Sequence, residues 1–333
     1  MLSSCIAMDT TSHLYGRLHE ELRRAGRVLL VAHKKPDGDT LGASSAMLMW
    51  LAGQGKQVTA FCADKPAPSL AFLDCVHLYT DDPAVFDATY DVVMIFDSGD
   101  LRYCGVQDHV PRLPAGYLLV NIDHHATNER YGHMNIVLPE ASSTSEIMHR
   151  FFAHNNIALD PKIATALLTG IYFDTSNFSN ASTRSETIAA ASHMLSAGAH
   201  NGEILHHMLH NKSIDMLRIW GVMLSRLRHN TELDVVSTYI LEADSSDVTP
   251  EAIDGAANFL NSVVGDSDTI MVLRELPGGF IKGSFRSIRR DVSKLAKLMG
   301  GGGHRKAAGF TVPGRIEETP AGPRIVDAAR KED

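Results

Sequence analysis

Short, mainly apolar runs in the first half of the chain each end directly in acidic or imidazole side chains. The runs at 28–32, 91–96 and 118–122 are long enough for buried strands and too short for buried helices. Strands without polar alternation are typical of a parallel sheet covered on both faces. Because parallel strands place their carboxyl ends at one edge, we expect the polar residues that follow to meet there. They are His33, Asp37 and Asp39 after the first run, Asp97 after the second, and Asp123, His124 and His125 after the third.

The segments between these runs predict helices, which completes an α/β pattern in the N-terminal half. Residues 40–53 and 161–174 are typical of helices, and residues 57–62 form a further short strand. Strands that alternate with helices predict a parallel sheet with helices on both faces. From 186 to 227 the pattern is helical, with breaks near Gly198 and Gly202.

The sequence changes character after residue 230, and this change predicts a second domain. Residues 234–241, 269–276 and 280–286 are typical of strands, with helices expected at 250–264 and near 291–299. We therefore expect an N-terminal α/β domain over 1–211, a helical linker and hinge over 212–230, and a smaller α/β domain over 231–333. The polar tail after about residue 313 is expected to be loosely ordered.

Composition and charge exclude several classes of protein. A hydrophobic fraction of 44% and a charged fraction of 21% exclude a disordered chain. A net charge of −8 argues against the broad basic surface that coats long duplex nucleic acid. Four cysteines without a CxxC pair indicate reduced thiols. Since the chain shows neither a long apolar run nor a signal-peptide pattern, we expect a cytoplasmic protein without a membrane partner.

The clustered carboxylates and imidazoles predict a site for divalent cations, with Asp174 added from a later helix. A mixed oxygen and nitrogen ligand set suits Mn²⁺, Fe²⁺ or Zn²⁺ better than Ca²⁺. Two cations about 3.5–4 Å apart, bridged by a carboxylate, form a clamp for the hydrolysis of phosphate esters. Each piece alone has an ordinary interpretation, because an Asp after a strand often caps a helix or forms a turn. Their recurrence at three strand ends favours the metal site.

Four ordered motifs resemble those of the DHH phosphoesterase superfamily. They are His33-x-x-Pro36-Asp37-Gly38-Asp39, Asp97-Ser98-Gly99-Asp100, Asp123-His124-His125 and Gly170-Ile171-Tyr172-Phe173-Asp174-Thr175. A fifth, Gly301-Gly302-Gly303-His304-x-x-Ala307-Ala308-Gly309-Phe310, is similar to the signature of the DHH-associated C-terminal domain. The resemblance covers roughly residues 15–312, and the compact bacterial nanoRNase/pAp-phosphatase enzymes are the most similar subgroup.

The resemblance implies two divalent metal ions, with Mn²⁺ expected first and Fe²⁺, Co²⁺ or Mg²⁺ as alternatives. The residues matching ligands of one metal are His33, Asp37 and Asp97, and those matching ligands of the other are Asp39, Asp97, His124 and Asp174. Asp97 then bridges the metals, and a bridging water attacks phosphorus in line. The resemblance also implies that Asp123 orients an imidazole and that His125 faces the substrate phosphate.

The second domain is expected to hold the substrate. By resemblance, the residues that grip the nucleotide are Ser284, Arg286, Gly302, Gly303 and His304. Arginine holds phosphate through two parallel hydrogen bonds, and glycines let backbone N–H groups approach an anion. Arg102 either contacts phosphate or pairs with a loop carboxylate. Ser142, Ser143 and Thr144 either line the cleft or cap the helix that contains Glu146.

The activity implied by the resemblance is hydrolysis of short oligoribonucleotides, including pApA, to nucleoside 5′-monophosphates, and of pAp to AMP. A related manganese inorganic pyrophosphatase and a nucleotide-binding regulator without turnover stay open as alternatives. A signalling module phosphorylated on Asp also places Asp at strand ends, but it does not explain His33, His124 and His125. The expected partners are short RNA, dinucleotides or pAp, without long duplex nucleic acid, and a homodimer stays open.

Overall fold

The computed structural model describes residues 2–209, 213–244, 257, 259–261, 264–265, 267–319 and 322–327, with side chains from residue 11 onward except at 209 and 322. The chain divides into two compact units, Met1–Asn211 and Lys212–Asp333. Among the described residues, none of the helices combines the length and the apolar character needed to cross a membrane. The described cysteines Cys62, Cys75 and Cys104 are free thiols.

Unit 1 is built on a parallel sheet of six strands within the described part of the chain. The strands are β1 (Arg27–Ala32), β2 (Gln57–Cys62), β3 (Tyr79–Thr80), β4 (Val92–Phe96), β5 (Leu118–Asp123) and β6 (Met134–Val137), in the order β3-β2-β1-β4-β5-β6. The pairs in this sheet are all parallel. Because β1 has β2 on one side and β4 on the other, the chain reverses its direction of winding at β1, which opens a crevice at the carboxyl ends of these strands.

The helices of unit 1 are α1 (Leu2–Arg24), α2 (Gly38–Gly53), α3 (Leu101–Cys104), α4 (Thr144–His154), α5 (Pro161–Thr175), α6 (Ser185–Ser196) and α7 (Asn201–Leu209). Short 3-10 turns lie at Pro68–Leu70, Val76–Leu78, Pro83–Asp87 and Val110–Arg112. Asp37 caps α2, Ser143 caps α4 and Asp160 caps α5, each through a side-chain oxygen that accepts backbone N–H bonds.

Successive residues of β1 enter different cores, which explains why its sequence lacks polar alternation. Val28 and Leu30 pack in the core beneath α1, α2, α4 and α5, whereas Leu29 and Val31 pack against α3 and the 3-10 turns. β4 alternates in the same way. The sheet is therefore buried on both faces, and the predicted α/β parallel-sheet fold is confirmed.

Unit 2 contains a mixed sheet, which has six strands among the residues whose structure is described. The strands are β7 (Arg228–Asn230), β8 (Val235–Ile240), β9 (Thr269–Leu276), β10 (Phe280–Ser287), β11 (Gly302–His304) and β12 (Ala307–Pro313), in the order β11-β12-β10-β9-β8-β7. Helix α8 (Ile214–Ser225) contributes Ile219 and Met223 to one core, and the helix Val292–Leu298 contributes to another. A further 3-10 turn lies at Glu242–Asp244.

The structure can be compared with three sequence-based expectations for the C-terminal half. The region 212–230, expected as a linker and hinge, contains α8, whose inner face packs within unit 2. Its role as a hinge stays a prediction. Most of the helix expected at 250–264 lies outside the described residues. In the tail expected to be loose, the described residues instead form an antiparallel pair, β13 (Arg315–Thr319) and β14 (Gly322–Val326), and Ile316 is buried in the core of unit 2.

Candidate metal centre

The loop after β1 brings the first group of side chains to the crevice. His33 is buried, and its Nδ1 lies 2.8 Å from the Lys34 carbonyl oxygen. Because a carbonyl only accepts, Nδ1 carries a proton, and Nε2 is the ring nitrogen that faces the crevice. Asp37 Oδ1 accepts hydrogen bonds from the backbone N–H groups of Asp39 (3.0 Å) and Thr40 (3.1 Å) at the start of α2. The cap of α2 thus carries both carboxylates of the Asp-Gly-Asp motif.

Asp97, immediately after β4, lies between two imidazoles. Its Oδ2 is 3.4 Å from His33 Nε2, and its Oδ1 is 3.4 Å from His124 Nε2. The residue has a φ of 56°, a left-handed conformation that non-glycine residues adopt at an energetic cost. Its backbone N–H donates to the Ile122 carbonyl on β5 at 2.9 Å. The strained backbone therefore turns the carboxylate into the crevice.

The second side of the crevice comes from β5, α2 and α5. His124 Nε2 lies 2.9 Å from Asp174 Oδ2 near the end of α5. The ligand atoms of His33, Asp37 and Asp97 lie within 4.8 Å of one another, and so do those of Asp39, His124 and Asp174. Asp97 joins the two groups through its contact with His124. The structure thus brings together the residues assigned to the two metals by resemblance.

Proton affinities in the crevice are strongly shifted. Burial acts to lower the pKa of His33 and of His124, but their hydrogen bonds with aspartates outweigh it and raise these values to about 10 and about 11. Burial, followed by the charges of Asp97 and Asp174, raises the pKa of Asp39 well above its usual value. Burial likewise acts to raise the pKa of Asp97, but hydrogen bonds from His124 and His33 hold it below its usual range.

These shifts fit a site that binds divalent cations. The pKa values of His33, His124 and Asp39 are raised, so proton binding at these groups is favoured and offsets the repulsion between the clustered carboxylates. A cation takes over this neutralising role, because metal ligands bind in their deprotonated forms and release protons on binding. The donor set of carboxylate oxygens and imidazole nitrogens matches Mn²⁺, Fe²⁺ or Zn²⁺.

Asp123 is fully buried behind the crevice and orients His125. Its Oδ1 lies 2.7 Å from His125 Nδ1 and accepts the backbone N–H groups of His124 (2.8 Å) and His125 (3.2 Å). The hydrogen bond that His125 donates to Asp123 is the main cause that raises the pKa of His125, whose side chain is 48% exposed. Asn128, which sequence reasoning missed, donates to Asp123 Oδ2 at 2.6 Å and to the Ser98 carbonyl at 3.1 Å.

Three glycines of unit 1 allow the helices to meet closely around the site. A Cβ at Gly38 would lie 2.1 Å from the Phe173 ring, and a Cβ at Gly42 would lie 2.4 Å from the Ala166 carbonyl oxygen. A Cβ at Gly170 would lie 2.6 Å from Asp39 Oδ1. Gly38 and Gly170 belong to the quoted motifs, but their packing roles were not predicted. The sequence signal for these packing roles is that Gly38 and Gly170 lie in motifs whose polar residues meet at the site.

Two further side chains lie on α3, which follows Asp97 in the chain. Tyr103 was not predicted as a site residue, yet its ring packs against His33 with centroids 5.3 Å apart. Arg102, predicted to contact phosphate or a loop carboxylate, donates from Nε to Gln107 Oε1 at 3.2 Å. Arg102 is exposed, and a role in substrate binding stays a prediction.

The residues expected to bind substrate in unit 2 lie on β10 and β11. Ser284 and Arg286 share one face of β10, opposite Ile281 and Phe285, which pack in the core. Gly302, Gly303 and His304 form β11 and pair with β12. At Gly303 φ is 139°, and a Cβ would lie 2.6 Å from Ala308 Cα. Close pairing between strands therefore requires this glycine, whether or not the segment binds phosphate.

Comparisons with known proteins agree with this geometry. Residues 27–171 match the model of the DHH family N-terminal domain, and residues 233–331 match that of the DHHA1 domain. The chain is 29% identical over 320 residues to the bifunctional oligoribonuclease and PAP phosphatase NrnA of Thermus thermophilus. This alignment covers 95% of this chain and 94% of that protein. Identity to the Bacillus subtilis protein of the same name is 25% over 293 residues, covering 86% and 89% of the two chains.

A solved structure supports the fold independently. The crystal structure of an exopolyphosphatase-related protein from Bacteroides fragilis has a TM-score of 0.80 and 24% identity, and the match covers 90% of each chain. The two family models together span most of the chain, and the motifs from which the resemblance was first inferred lie within them or directly beside them. The chain therefore combines a DHH domain with a DHHA1 domain.

Proposed function

We propose that this protein is a metal-dependent phosphoesterase that hydrolyses short oligoribonucleotides, including linear pApA, to nucleoside 5′-monophosphates and converts pAp to AMP. The observation that carries the proposal is the position of Asp97. Its two carboxylate oxygens face different imidazoles, each 3.4 Å away, and each imidazole belongs to a separate ligand group. Relatives along most of the chain are named as oligoribonuclease and PAP phosphatase.

The proposed metals are two divalent cations, with Mn²⁺ first and Fe²⁺, Co²⁺ or Mg²⁺ as alternatives. His33, Asp37 and Asp97 would hold one, and Asp39, Asp97, His124 and Asp174 would hold the other. Such a pair supplies an activated water nucleophile and charge stabilisation for the transferring phosphoryl group.

The protein's own groups orient the reaction. Asp123 holds the His125 ring through Nδ1, at 2.7 Å, and leaves a half-exposed imidazole beside Asp97. With its pKa raised by Asp123, His125 is proposed to donate to a phosphoryl oxygen. Arg102 is proposed to contact the substrate phosphate as well. In unit 2, the proposed contacts to the rest of the nucleotide come from Ser284, Arg286, Gly302, Gly303 and His304.

The proposed substrates are short nucleotides, and we propose that the protein acts on them in the cytoplasm. The net charge of −8 disfavours binding of long duplex nucleic acid, because such binding requires clustered excess lysine and arginine. A homodimer is a further possibility that the sequence leaves open, and light scattering of the purified full chain distinguishes it from a monomer.

The test is an incubation of the purified full chain with Mn²⁺ and, separately, pApA, pAp, a long RNA, cyclic-di-AMP and pyrophosphate. Asp97→Asn is the matched control, because it removes the central carboxylate with little change in size. Release of AMP from pApA or pAp by the wild type, lost in the variant, is the expected result. Turnover of pyrophosphate alone would assign a pyrophosphatase. Tight nucleotide binding without turnover under Mn²⁺, Fe²⁺ or Co²⁺ would assign a regulator.

A further inference from the structure

The first turn of α4 holds two carboxylates of the metal centre. The backbone N–H of Thr144 donates to Asp39 Oδ2 at 2.6 Å, and that of Ser145 donates to Asp39 Oδ1 at 2.8 Å. The Thr144 hydroxyl donates to Asp97 Oδ1 at 3.2 Å. These four residues are buried. The rotational position of the α4 N-terminus therefore determines where both carboxylates lie.

Glu146, in the same turn, determines the position of that N-terminus. Its side chain is 1% exposed, and Oε2 accepts hydrogen bonds from Ser142 N (3.0 Å) and Ser142 Oγ (2.6 Å). The Glu146 backbone N–H in turn donates to Ser143 Oγ at 3.0 Å. This arrangement is a variant of the capping box, in which the glutamate side chain accepts from the backbone N–H of Ser142, one residue before the N-cap Ser143. The interpretation of Ser143 as a helix cap is confirmed.

Glu146 also anchors this turn to its surroundings. Thr187, on α6, donates its hydroxyl to Glu146 Oε2 at 2.9 Å, and Arg150 forms an ion pair with Oε1 at 2.5 Å. Burial acts to raise the pKa of Glu146, but the bonds from Ser142 and the charge of Arg150 outweigh it and keep the carboxyl ionised. A buried carboxylate with these partners is costly to displace, so it fixes its neighbours in one arrangement.

We infer that Glu146 is a positioning residue for the metal centre, acting on Asp39 and Asp97 through the backbone of Ser142–Ser145. It belongs to none of the ligand groups in the described part of the chain. Its effect therefore falls on how well the ligands are oriented, which sets metal affinity. The inference rests on the proposed function, but its test measures metal binding without substrate.

The experiment is a calorimetric titration of the metal-stripped full chain with Mn²⁺. Glu146→Gln keeps the shape and removes the charge. Thr187→Val removes the anchor on α6, together with the bond that Thr187 Oγ1 accepts from the Arg184 backbone N–H at 3.3 Å. Ile147→Val is the control, because Ile147 is fully buried on the same helix yet takes no part in the cap. We expect the Kd for Mn²⁺ to rise about tenfold to a hundredfold in Glu146→Gln and by a smaller factor in Thr187→Val. Ile147→Val should keep the wild-type Kd.

Turnover gives a second measurement. Excess Mn²⁺ should restore kcat in Glu146→Gln, with KM for the nucleotide unchanged, because the variant alters ligand orientation and touches no substrate. Equal Kd values in the wild type, Glu146→Gln and Thr187→Val would overturn the inference, and so would equal weakening in Ile147→Val. Thr187→Val decides the matter if Glu146→Gln fails to fold. If the wild type binds Mn²⁺ but hydrolyses nothing, the proposed function fails while the inference stands.

Discussion

Replacement of Gly170 by alanine should damage both the stability of unit 1 and its metal centre. Gly170 lies on α5 where this helix meets α2 and α4. A Cβ there would lie 2.0 Å from Ser145 Oγ, 2.7 Å from Ser145 Cβ and 2.6 Å from Asp39 Oδ1. Atoms do not approach a real Cβ this closely, so the neighbouring side chains must move.

The size of the effect depends on which neighbour can move. Ser145 Oγ can rotate away, but its Cβ is fixed to the first turn of α4. Asp39 is fully buried, and both its oxygens accept backbone N–H groups from that turn. Overpacking of this kind costs about 1–3 kcal/mol. The higher helix propensity of alanine offsets up to about 1 kcal/mol. A net loss of about 1–2 kcal/mol lowers Tm by roughly 2–8 °C in a unit of this size.

Differential scanning calorimetry and Mn²⁺ titration test this prediction together. The control is Gly221→Ala on α8, because no described atom lies within 4 Å of a Cβ at that position. Gly221→Ala should raise stability slightly through helix propensity and leave Mn²⁺ binding unchanged. Gly170→Ala should lower Tm and weaken Mn²⁺ binding, about tenfold, since the displaced carboxylate is Asp39. A Gly170→Ala variant with wild-type Tm and Kd would refute this reasoning about the helix crossing.

Further predictions address catalysis, metal and pH. Asp97→Asn should reduce kcat for pApA by at least about a hundredfold, measured by AMP release, because it weakens both ligand groups. Chelation by EDTA should abolish turnover, and added Mn²⁺ should restore it, whereas Asp97→Asn should gain nothing from added metal. Asp123→Asn should lower kcat more than it raises the Kd for Mn²⁺, because its main contact is with His125. Burial followed by the charge of His193 lowers the pKa of His149 to about 4. Because the pKa of His149 is depressed in the folded protein, the protein loses up to about 3 kcal/mol of stability as pH falls from 6.5 toward 4. His149→Gln should abolish this loss, measured by urea unfolding at pH 7 and at pH 4.

Most strands of unit 1 were predictable because burial of the sheet on both faces requires short, continuous apolar runs in the sequence. The runs at 28–32, 57–62, 91–96 and 118–122 correspond to β1, β2, β4 and β5 with boundaries that differ by one residue at most. Strand β6 was not predicted, since its four residues include Asn135 and carry too short a pattern. Its position depends on pairing with β5 rather than on local preference.

Packing around the proposed ligands was much less predictable than the meeting of these residues at one site. Asn128 supports Asp123 from a loop, and Glu146 supports Asp39 through two intervening backbone groups. Asn128 lies five residues after Asp123 without a periodic pattern that marks their contact. The Thr144–Asp39 contact, through which Glu146 acts, joins residues 105 positions apart that meet only in the folded chain. Glycine roles are equally nonlocal, since Gly42 is required by the Ala166 carbonyl of another helix.

Strand order explains why motifs so widely separated in sequence form one centre. β1 lies next to β4, and β4 lies next to β5, so the residues that follow these three strands emerge side by side. The chain winds away from β1 in opposite directions, toward β2 on one side and β4 on the other, which leaves the crevice open. Asp97 follows the middle strand of the three, between the imidazoles that the outer strands deliver. Its left-handed φ therefore places backbone strain at the residue that we propose to bridge the two metals.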